Sequence, residues 1–191
     1  MLRLQRMFTI LLLTLLISAC QPIVPTSDLP NALSARQPAV ALQPSFLFNI
    51  QIDLEAPRDI GSQPEMGVRQ LYYFAGGNFM GPDIAGEVLP GGENWFLIRN
   101  DCICDLYIQG QLRTNDDALI NFTGHAYSST TPDVQQTILA GAAINTDDYA
   151  FRGIPFFETD SSQYAWLNQT ATVATYRFEP EQVILSVYAI R

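Results

Sequence analysis

Short runs of alternating apolar and polar residues constrain the fold of this chain more than any other feature. In Ser45–Leu54 every second side chain is apolar, beginning with Phe46 and Phe48, whereas Asn49 and the other intervening residues are mainly polar. A period of two is typical of a β-strand with one buried face. This run therefore predicts a strand with a core side and a solvent side.

Eight further β-rich segments follow, separated by turn signals such as Gly76-Gly77, Pro90-Gly91-Gly92 and Asn115-Asp116-Asp117. They predict a single all-β domain over residues 45–191, a barrel or a sandwich of about eight to nine antiparallel strands. The segments are Gln70–Ala75, Asp83–Leu89, Asn94–Arg99, Ile103–Thr114, Ala118–Tyr127, Tyr149–Phe157, Thr170–Phe178 and Gln182–Ile190.

The mixed faces of several strands favour the barrel over the sandwich. Along Ala118–Tyr127 one face carries Asn121, Thr123 and His125, and the other carries Phe122 and further apolar residues. A face with that mixture could line a wet cavity or form the outer surface, so both positions stay open.

One segment has the pattern of a short helix. Thr131 can cap it, Pro132 suits its first position, and Gly141 suits its end. Val134 and Ile138, together with the adjacent Leu139, fall on one side of such a helix. We therefore predict a single helix between the strands.

Residues 1–20 have the organisation of a secretory signal peptide, with two arginines, an apolar run and small residues before Cys20. The apolar run of about ten residues is shorter than the roughly 20 that a membrane helix needs. The ending Ile17-Ser18-Ala19-Cys20 resembles a bacterial lipobox, which implies that Cys20 is acylated after cleavage. We therefore expect a lipoprotein of the cell envelope, anchored to a membrane by lipid chains such as palmitate and facing outside the cytoplasm. In a Gram-negative cell that membrane would be the outer one.

Residues 21–44 contain five prolines and little apolar periodicity. Such a segment is extended and semi-rigid, at about 3 Å per residue. We interpret it as a tether between the lipid anchor and the barrel, with an additional strand packed on the domain as the alternative.

Charge and composition exclude several classes of function. The net charge is −9 and all ten basic residues are arginine, so the chain has no lysine for a Schiff base or a phosphate-binding P-loop. Removal of residues 1–19 would take Arg3 and Arg6 and leave −11. This acidic balance argues against nucleic acid as a partner.

Three stretches, Gly76–Trp95, Leu112–Ile120 and Phe151–Asn168, together resemble the domain-of-unknown-function family 3237 of bacterial and fungal proteins. The resemblance runs from Phe46 to the C-terminus in the family's order and spacing. It implies a single antiparallel β-barrel, similar to allene-oxide-cyclase-like barrels with a central pocket. It implies a fold rather than an activity, because barrels serve unrelated functions.

The chain departs from the family pattern at three positions. Asn94 stands where the family usually has an aspartate, so one carboxylate of the pattern is missing. Cys102 and Asp117 stand where the family has glycine, at expected turns.

Four ionisable residues are candidates for general acid or base catalysis: Glu87, Asp116 and Glu158 in the matched motifs, and His125 in the strand after Asp116. Carboxylates near a histidine in an apolar barrel could have shifted pKa values. Alternatively, the carboxylates bond turn amides or pair with arginines and tie strands together.

Arg113, Arg152 and Trp95 are candidates for ligand binding. The two guanidinium groups could clamp a carboxylate in a bidentate manner, or could form salt bridges between strands. Both interpretations use the same residues and stay open.

Tyr164, Trp166 and Asn168 are three further candidates, because their spacing predicts that they share one face of an extended segment. That face could stack on a flat or sugar-like ligand and orient it through the amide. It could equally form an aromatic layer of the core.

The C-I-C motif places Cys102 and Cys104 on one face of a predicted strand, about 6.5–7 Å apart. A strained disulfide, free thiols and incidental metal binding are all compatible with it. Two thiols and a single histidine do not complete a four-ligand zinc site, so we predict no metal and no cofactor.

The function that these observations favour is binding of a small, partly apolar molecule in the barrel of a membrane-anchored lipoprotein. A cofactor-free isomerase or cyclase that uses pocket carboxylates or His125 is one alternative. A structural or interaction module of the envelope is another. The sequence indicates neither the ligand nor the oligomeric state.

Overall fold

The computed structural model describes residues 41–63, 65–140, 142, 145 and 150–191. The predicted signal peptide, Cys20 and most of the tether lie outside this part of the chain. The strands are β1 (Pro44–Leu54), β2 (Arg58–Gln63), β3 (Gly67–Met80), β4 (Ala85–Val88), β5 (Glu93–Ile98), β6 (Ile103–Thr114), β7 (Leu119–Ser129), β8 (Phe151–Glu158), β9 (Thr172–Glu179) and β10 (Gln182–Ile190); α1 spans Pro132–Leu139 and a 3₁₀ helix, η1, spans Ala165–Gln169.

The strands form a closed antiparallel barrel. From β1 the order runs through β10, β9, β8, β7 and β6 to β4 and β3, and β3 pairs again with β1. Strands β4 and β5 share one of eight positions, because each pairs with β3 on one side and β6 on the other. Closure leaves no open edge along the barrel wall, so the predicted barrel is confirmed.

The barrel interior is filled with apolar side chains. Phe48 packs edge-to-face on Phe157 at 5.3 Å between ring centroids, and Phe122 stacks with Phe74 at 6.2 Å. Side chains from all eight wall positions join this core, including Leu106, which is fully buried. The centre of the described barrel is therefore occupied by aromatic rings, and the central pocket that the family resemblance implies is not found there.

Strand β3 differs from the prediction, because it continues through Gly76 and Gly77, which we expected to form a turn. Both glycines have positive φ angles, 144° and 137°. A Cβ on Gly77 would lie 2.1 Å from the carbonyl oxygen of Gln51 in β1. The two glycines bend β3 and allow close approach to β1, because they carry no side chain.

Strand β2 was not predicted from the sequence. Its described side chains from Arg58 to Gly61 are exposed, so it has no buried face to produce an alternating pattern. It pairs with the first half of β3, whereas β1 pairs with the second half of the same strand.

The predicted turns at Cys102 and Asp117 are present. Both residues have positive φ angles, 63° and 66°, the left-handed conformation in which glycine is favoured. The helix is also confirmed: Thr131 is its N-cap and accepts a hydrogen bond from the Val134 amide at 3.3 Å. Gly141, the predicted end, lies outside the described residues.

Among the residues that the structure describes, no helix has both the length and the apolar character needed to cross a membrane.

Candidate functional site

A cavity of about 350 Å³ opens at one end of the barrel. This is the end at which β1 finishes at Leu54 and the hairpin between β9 and β10 turns at Pro180-Glu181. The first residue of β8, Phe151, and the C-terminal part of α1, at Ile138, lie at the same end. With Tyr72 of β3 and Phe96 of β5, the described lining comes from six separate parts of the chain, which the barrel topology brings together.

Aromatic rings form much of the described lining. Phe96, Phe151 and Phe178 contact one another, with ring centroids between 5.1 and 5.8 Å apart. Tyr72 and Leu54 extend this surface. Pockets that bind small molecules have largely apolar and aromatic linings with a few polar groups, and this cavity has that character.

Carboxylates lie at the cavity mouth. Glu55, Glu179 and Glu181 are all exposed there. Arg177 pairs with Glu179 at 3.0 Å, and a longer ion pair of 3.8 Å joins Arg58 to Glu55. The lining includes no basic side chain among the described residues, so it offers no direct counter-charge to an anion.

Hydrogen bonds between separate strands hold the mouth in shape. The Leu54 amide donates to the Glu181 carbonyl at 2.7 Å. The side-chain NH₂ of Gln182 donates to the Asp53 carboxylate at 2.6 Å, and the side-chain oxygen of Gln182 accepts from the Gln51 side chain at 3.1 Å. These bonds connect the end of β1 to the hairpin, so the opening is a fixed part of the barrel.

Helix α1 is fixed to the barrel by a buried glutamine. The Gln135 side chain donates to the Arg99 carbonyl at 3.0 Å, and Ile138 and Leu139 pack against the core. This arrangement places Ile138 in the cavity lining.

Tyr72 presents a neutral hydroxyl. Burial raises its pKa, and the negative charge of Asp59 raises it further. The hydroxyl donates to Gln70 at 3.0 Å, and the Gln70 amide donates to Asp59 at 3.1 Å. This hydrogen-bonded chain orients the Tyr72 ring.

The four candidate acid–base residues do not converge on this cavity. Glu87 forms an ion pair with Arg113 across β4 and β6, and His125 Nε2 lies 2.6 Å from Asp105 on the outer face. Asp116 accepts a hydrogen bond from Tyr164 at 2.9 Å, whereas Glu158 is exposed on β8. The ion pair of Glu87 connects two strands, which is the alternative that the sequence left open. A catalytic role for any of the four residues stays a prediction.

The Asp116 carboxylate has a lowered pKa. The hydrogen bond from Thr114 is the main cause and the one from Tyr164 is the second. Both bonds favour the charged form. The bond from Tyr164 attaches the turn between β6 and β7 to the segment before η1.

The arginines and Trp95 also lie away from the cavity. Arg113 is half-exposed in its pair with Glu87. Arg152 is exposed and donates to the carbonyl of Phe151 at 3.0 Å, and Trp95 lies opposite Tyr107 on the outer side of the barrel. The structure does not bring them together into one ligand clamp.

The shared face predicted for Tyr164, Trp166 and Asn168 is wrong in its geometry. Residues 165–169 form η1, in which side chains three apart align, so that Tyr164 and Leu167 are buried and Trp166 is 38% exposed. The Asn168 side chain bonds the backbone of Thr159, accepting at 2.9 Å and donating at 2.8 Å.

The C-I-C motif is not a disulfide within itself, because Cys104 is a free thiol. Only Cys104 lies in β6, whereas Cys102 lies in the preceding turn. Burial raises the pKa of Cys104 to about 11, so its thiol stays protonated at neutral pH. No group of three or more His, Cys, Asp or Glu residues in the described part of the chain could hold a metal ion.

The four aromatic residues of the cavity were missed by sequence reasoning. Phe96, Phe151 and Phe178 lie within predicted strands, and Tyr72 lies in another. Their inward position was predictable from alternation, but their place at the open end depends on which strands pair.

A second surface feature is an exposed apolar and aromatic patch on the outer face of β6 to β8. Tyr107, Tyr127, Ile154 and Phe156 are exposed by 39 to 63%. His125 lies among them, because it pairs with Tyr107 on one side and Ile154 on the other. An interaction module would need a surface of this kind.

The fold and the cavity define a small closed antiparallel β-barrel with a filled centre and an apolar pocket at one end. The chain belongs to the DUF3237 family of proteins of unknown function, whose model matches residues 42–190.

Several proteins are similar to this chain in sequence or in fold. A UPF0311 protein of Clostridium acetobutylicum is 31% identical over 144 residues, which is 75% of this chain and 91% of that protein. A crystal structure of a protein of unknown function from the same species has a TM-score of 0.75 and 29% identity, covering 81% of this chain and all of the other. A β-barrel-like protein from Acinetobacter baumannii has a TM-score of 0.69 and 25% identity, covering 82% of this chain and 100% of its own.

Proposed function

We propose that the barrel binds a small, partly apolar molecule in the cavity at its end. The observation that supports this most directly is the volume of about 350 Å³ with an aromatic lining of Tyr72, Phe96, Phe151 and Phe178. By comparison, an engineered apolar cavity of about 150 Å³ binds benzene. A bicyclic aromatic body is therefore of suitable size.

The charges of the site limit the ligand class. Carboxylates surround the mouth and the Tyr72 hydroxyl is neutral. An anionic ligand would gain no ion pair from the described lining. The proposed ligand is therefore neutral, or carries a positive charge at the mouth.

Ile138→Trp should weaken binding of an apolar probe, because the larger side chain would fill part of the cavity from α1. We would measure 2-methylnaphthalene by equilibrium dialysis with the full chain, using a chain-free sample of the same buffer and detergent as the blank. We expect at least a tenfold loss of affinity relative to the unmodified chain, the equivalent of about 1.4 kcal/mol.

Gln136→Trp is the matched control, since Gln136 is exposed on the same helix and does not line the cavity. This variant should bind the probe as the unmodified chain does. If Ile138→Trp also bound normally, the end cavity would not be the binding site. Native mass spectrometry of the chain purified from its own host would then identify any molecule that co-purifies.

We also propose that the protein is an envelope lipoprotein anchored through Cys20. The support is the lipobox-like Ile17-Ser18-Ala19-Cys20 after a short apolar run. Two or more acyl chains give the stable attachment that a single chain does not. The proline-rich segment would then hold the cavity some tens of ångströms from the lipid surface.

Cys20→Ala should remove the chain from the detergent-rich phase in detergent phase separation, because no thiol remains to be acylated. The unmodified mature chain should show an acyl mass on its N-terminal residue. Cys104→Ser serves as the control, since this buried thiol lies in the barrel. Unchanged partitioning of Cys20→Ala, without acyl mass on the unmodified chain, would exclude the anchor.

A further inference from the structure

Three buried polar atoms inside the barrel have no hydrogen-bond partner among the described residues. They are Nδ2 and Oδ1 of Asn94 and the hydroxyl oxygen of Tyr176. Asn94 is completely buried and Tyr176 is 3% exposed. A buried polar group without a partner is costly, and most such groups in folded proteins are paired.

The two side chains point into the same layer of the core. The Tyr176 hydroxyl lies 2.7 Å from the position that a Cβ on Gly124 would take, and Ile108 Cγ2 lies 3.0 Å from that position. Gly124 pairs with Ile108, and Ile108 pairs with Asn94. Because Gly124 has no side chain, the Tyr176 hydroxyl occupies the space beside it. Gly124 lies two strands from Asn94, so the hydroxyl points to the side of the barrel where Asn94 lies.

This polar layer lies next to the lining of the end cavity. On β5, Asn94 precedes Phe96 by two residues, so both side chains point inward. Similarly, Tyr176 precedes Phe178 by two residues on β9 and pairs with Phe151 on β8. Asn94 and Tyr176 do not themselves line the cavity, but each lies one step along its strand from a residue that does.

We propose that Asn94 and Tyr176 bind the neutral hydroxyl or carbonyl group of the ligand whose apolar body occupies the end cavity. This inference rests on the proposed function and adds the chemistry of the ligand's inner end. An amide supplies both donors and an acceptor, and a phenol supplies one donor and acceptor capacity. A ligand hydroxyl or carbonyl oxygen could accept from either residue, and a ligand hydroxyl could also donate to Asn94 Oδ1.

The charge state of the layer selects a neutral group. Burial raises the pKa of Tyr176 far above neutral pH, so its hydroxyl keeps its proton. Asn94 has no charge at any pH, and the cavity lining includes no basic side chain among the described residues. A buried carboxylate or phosphate would lack a counter-charge there.

The test compares two probes of nearly equal shape, 2-naphthol and 2-methylnaphthalene, in equilibrium dialysis with the full chain. We expect 2-naphthol to bind about tenfold more tightly, as one or two buried hydrogen bonds allow. Tyr176→Phe, which removes only the hydroxyl, should reduce this preference to about twofold or less without weakening 2-methylnaphthalene. Asn94→Leu should have the same effect.

Tyr164→Phe is the control, because the hydroxyl of this buried tyrosine already bonds Asp116 and is not one of the unpaired polar atoms. It should leave the preference for 2-naphthol unchanged. Equal affinities of the unmodified chain for the two probes would overturn the inference and leave the proposed function standing. Buried water would then be the partner of the unpaired atoms of Asn94 and Tyr176. Binding of neither probe would contradict the proposed function itself, and this inference with it.

Discussion

Phe157→Ala should lower the free energy of unfolding by about 3–5 kcal/mol, the usual cost of removing a buried phenylalanine. The Phe157 ring is 4% exposed, and its centroid lies 5.3 Å from that of Phe48 and 6.4 Å from that of Phe122. Truncation would leave a cavity among these rings in the filled part of the barrel. Many domains of this size have only about 5–15 kcal/mol of stability in total.

The adjacent residue provides the matched control. Phe156 is 63% exposed on the outer face, so Phe156→Ala should change stability by no more than about 0.5 kcal/mol. Urea denaturation followed by circular dichroism would measure both variants. Similar losses for the two substitutions would show that the faces of β8 are not divided between core and solvent as described.

Gly77→Ala should destabilise the barrel by about 3 kcal/mol or more. A Cβ at this position would lie 2.1 Å from the Gln51 carbonyl oxygen and 3.1 Å from the Ile52 Cα, both in the backbone of β1. The φ angle of 137° adds strain for any residue with a side chain. Overpacking and unfavourable backbone angles each cost about 1–3 kcal/mol, and here they act together where β3 closes the barrel on β1.

Gly91→Ala separates the two causes. Gly91 has a φ angle of 92°, but a Cβ there would meet nothing within 4 Å. This variant should therefore show only the backbone strain, about 1–2 kcal/mol. Urea denaturation would compare the free energies of unfolding of the two variants. Equal losses of stability would mean that β1 can move away from an alanine at position 77 without cost.

The strands that bury one face were predictable from the sequence. Observed β6 and β10 coincide with the predicted runs, and β1 differs by one residue at its start. In each, alternate side chains enter the core, so the pattern of burial is written directly in the sequence. Strand β2 escaped because its described side chains are exposed and it depends on a partner strand for its formation.

The candidate site was much less predictable. Glu87 and Arg113 lie in motifs that resemble the family, yet they pair with each other on the outer surface. Conversely, Phe96 and Tyr72 looked like ordinary core residues but line the cavity. Side-chain chemistry shows what a residue could do, whereas its place along the barrel axis depends on strand pairing.

The sequence alone determined the all-β class, the position of most strands and the helix between β7 and β8, because these depend on local periodicity and capping. It also carries the lipobox-like segment that predicts a membrane anchor. Only the tertiary structure decided that the barrel centre is filled, that the cavity lies at one end, and that Asn94 and Tyr176 lie next to it. Those features arise from contacts between residues far apart in the chain, which pairing and register bring together.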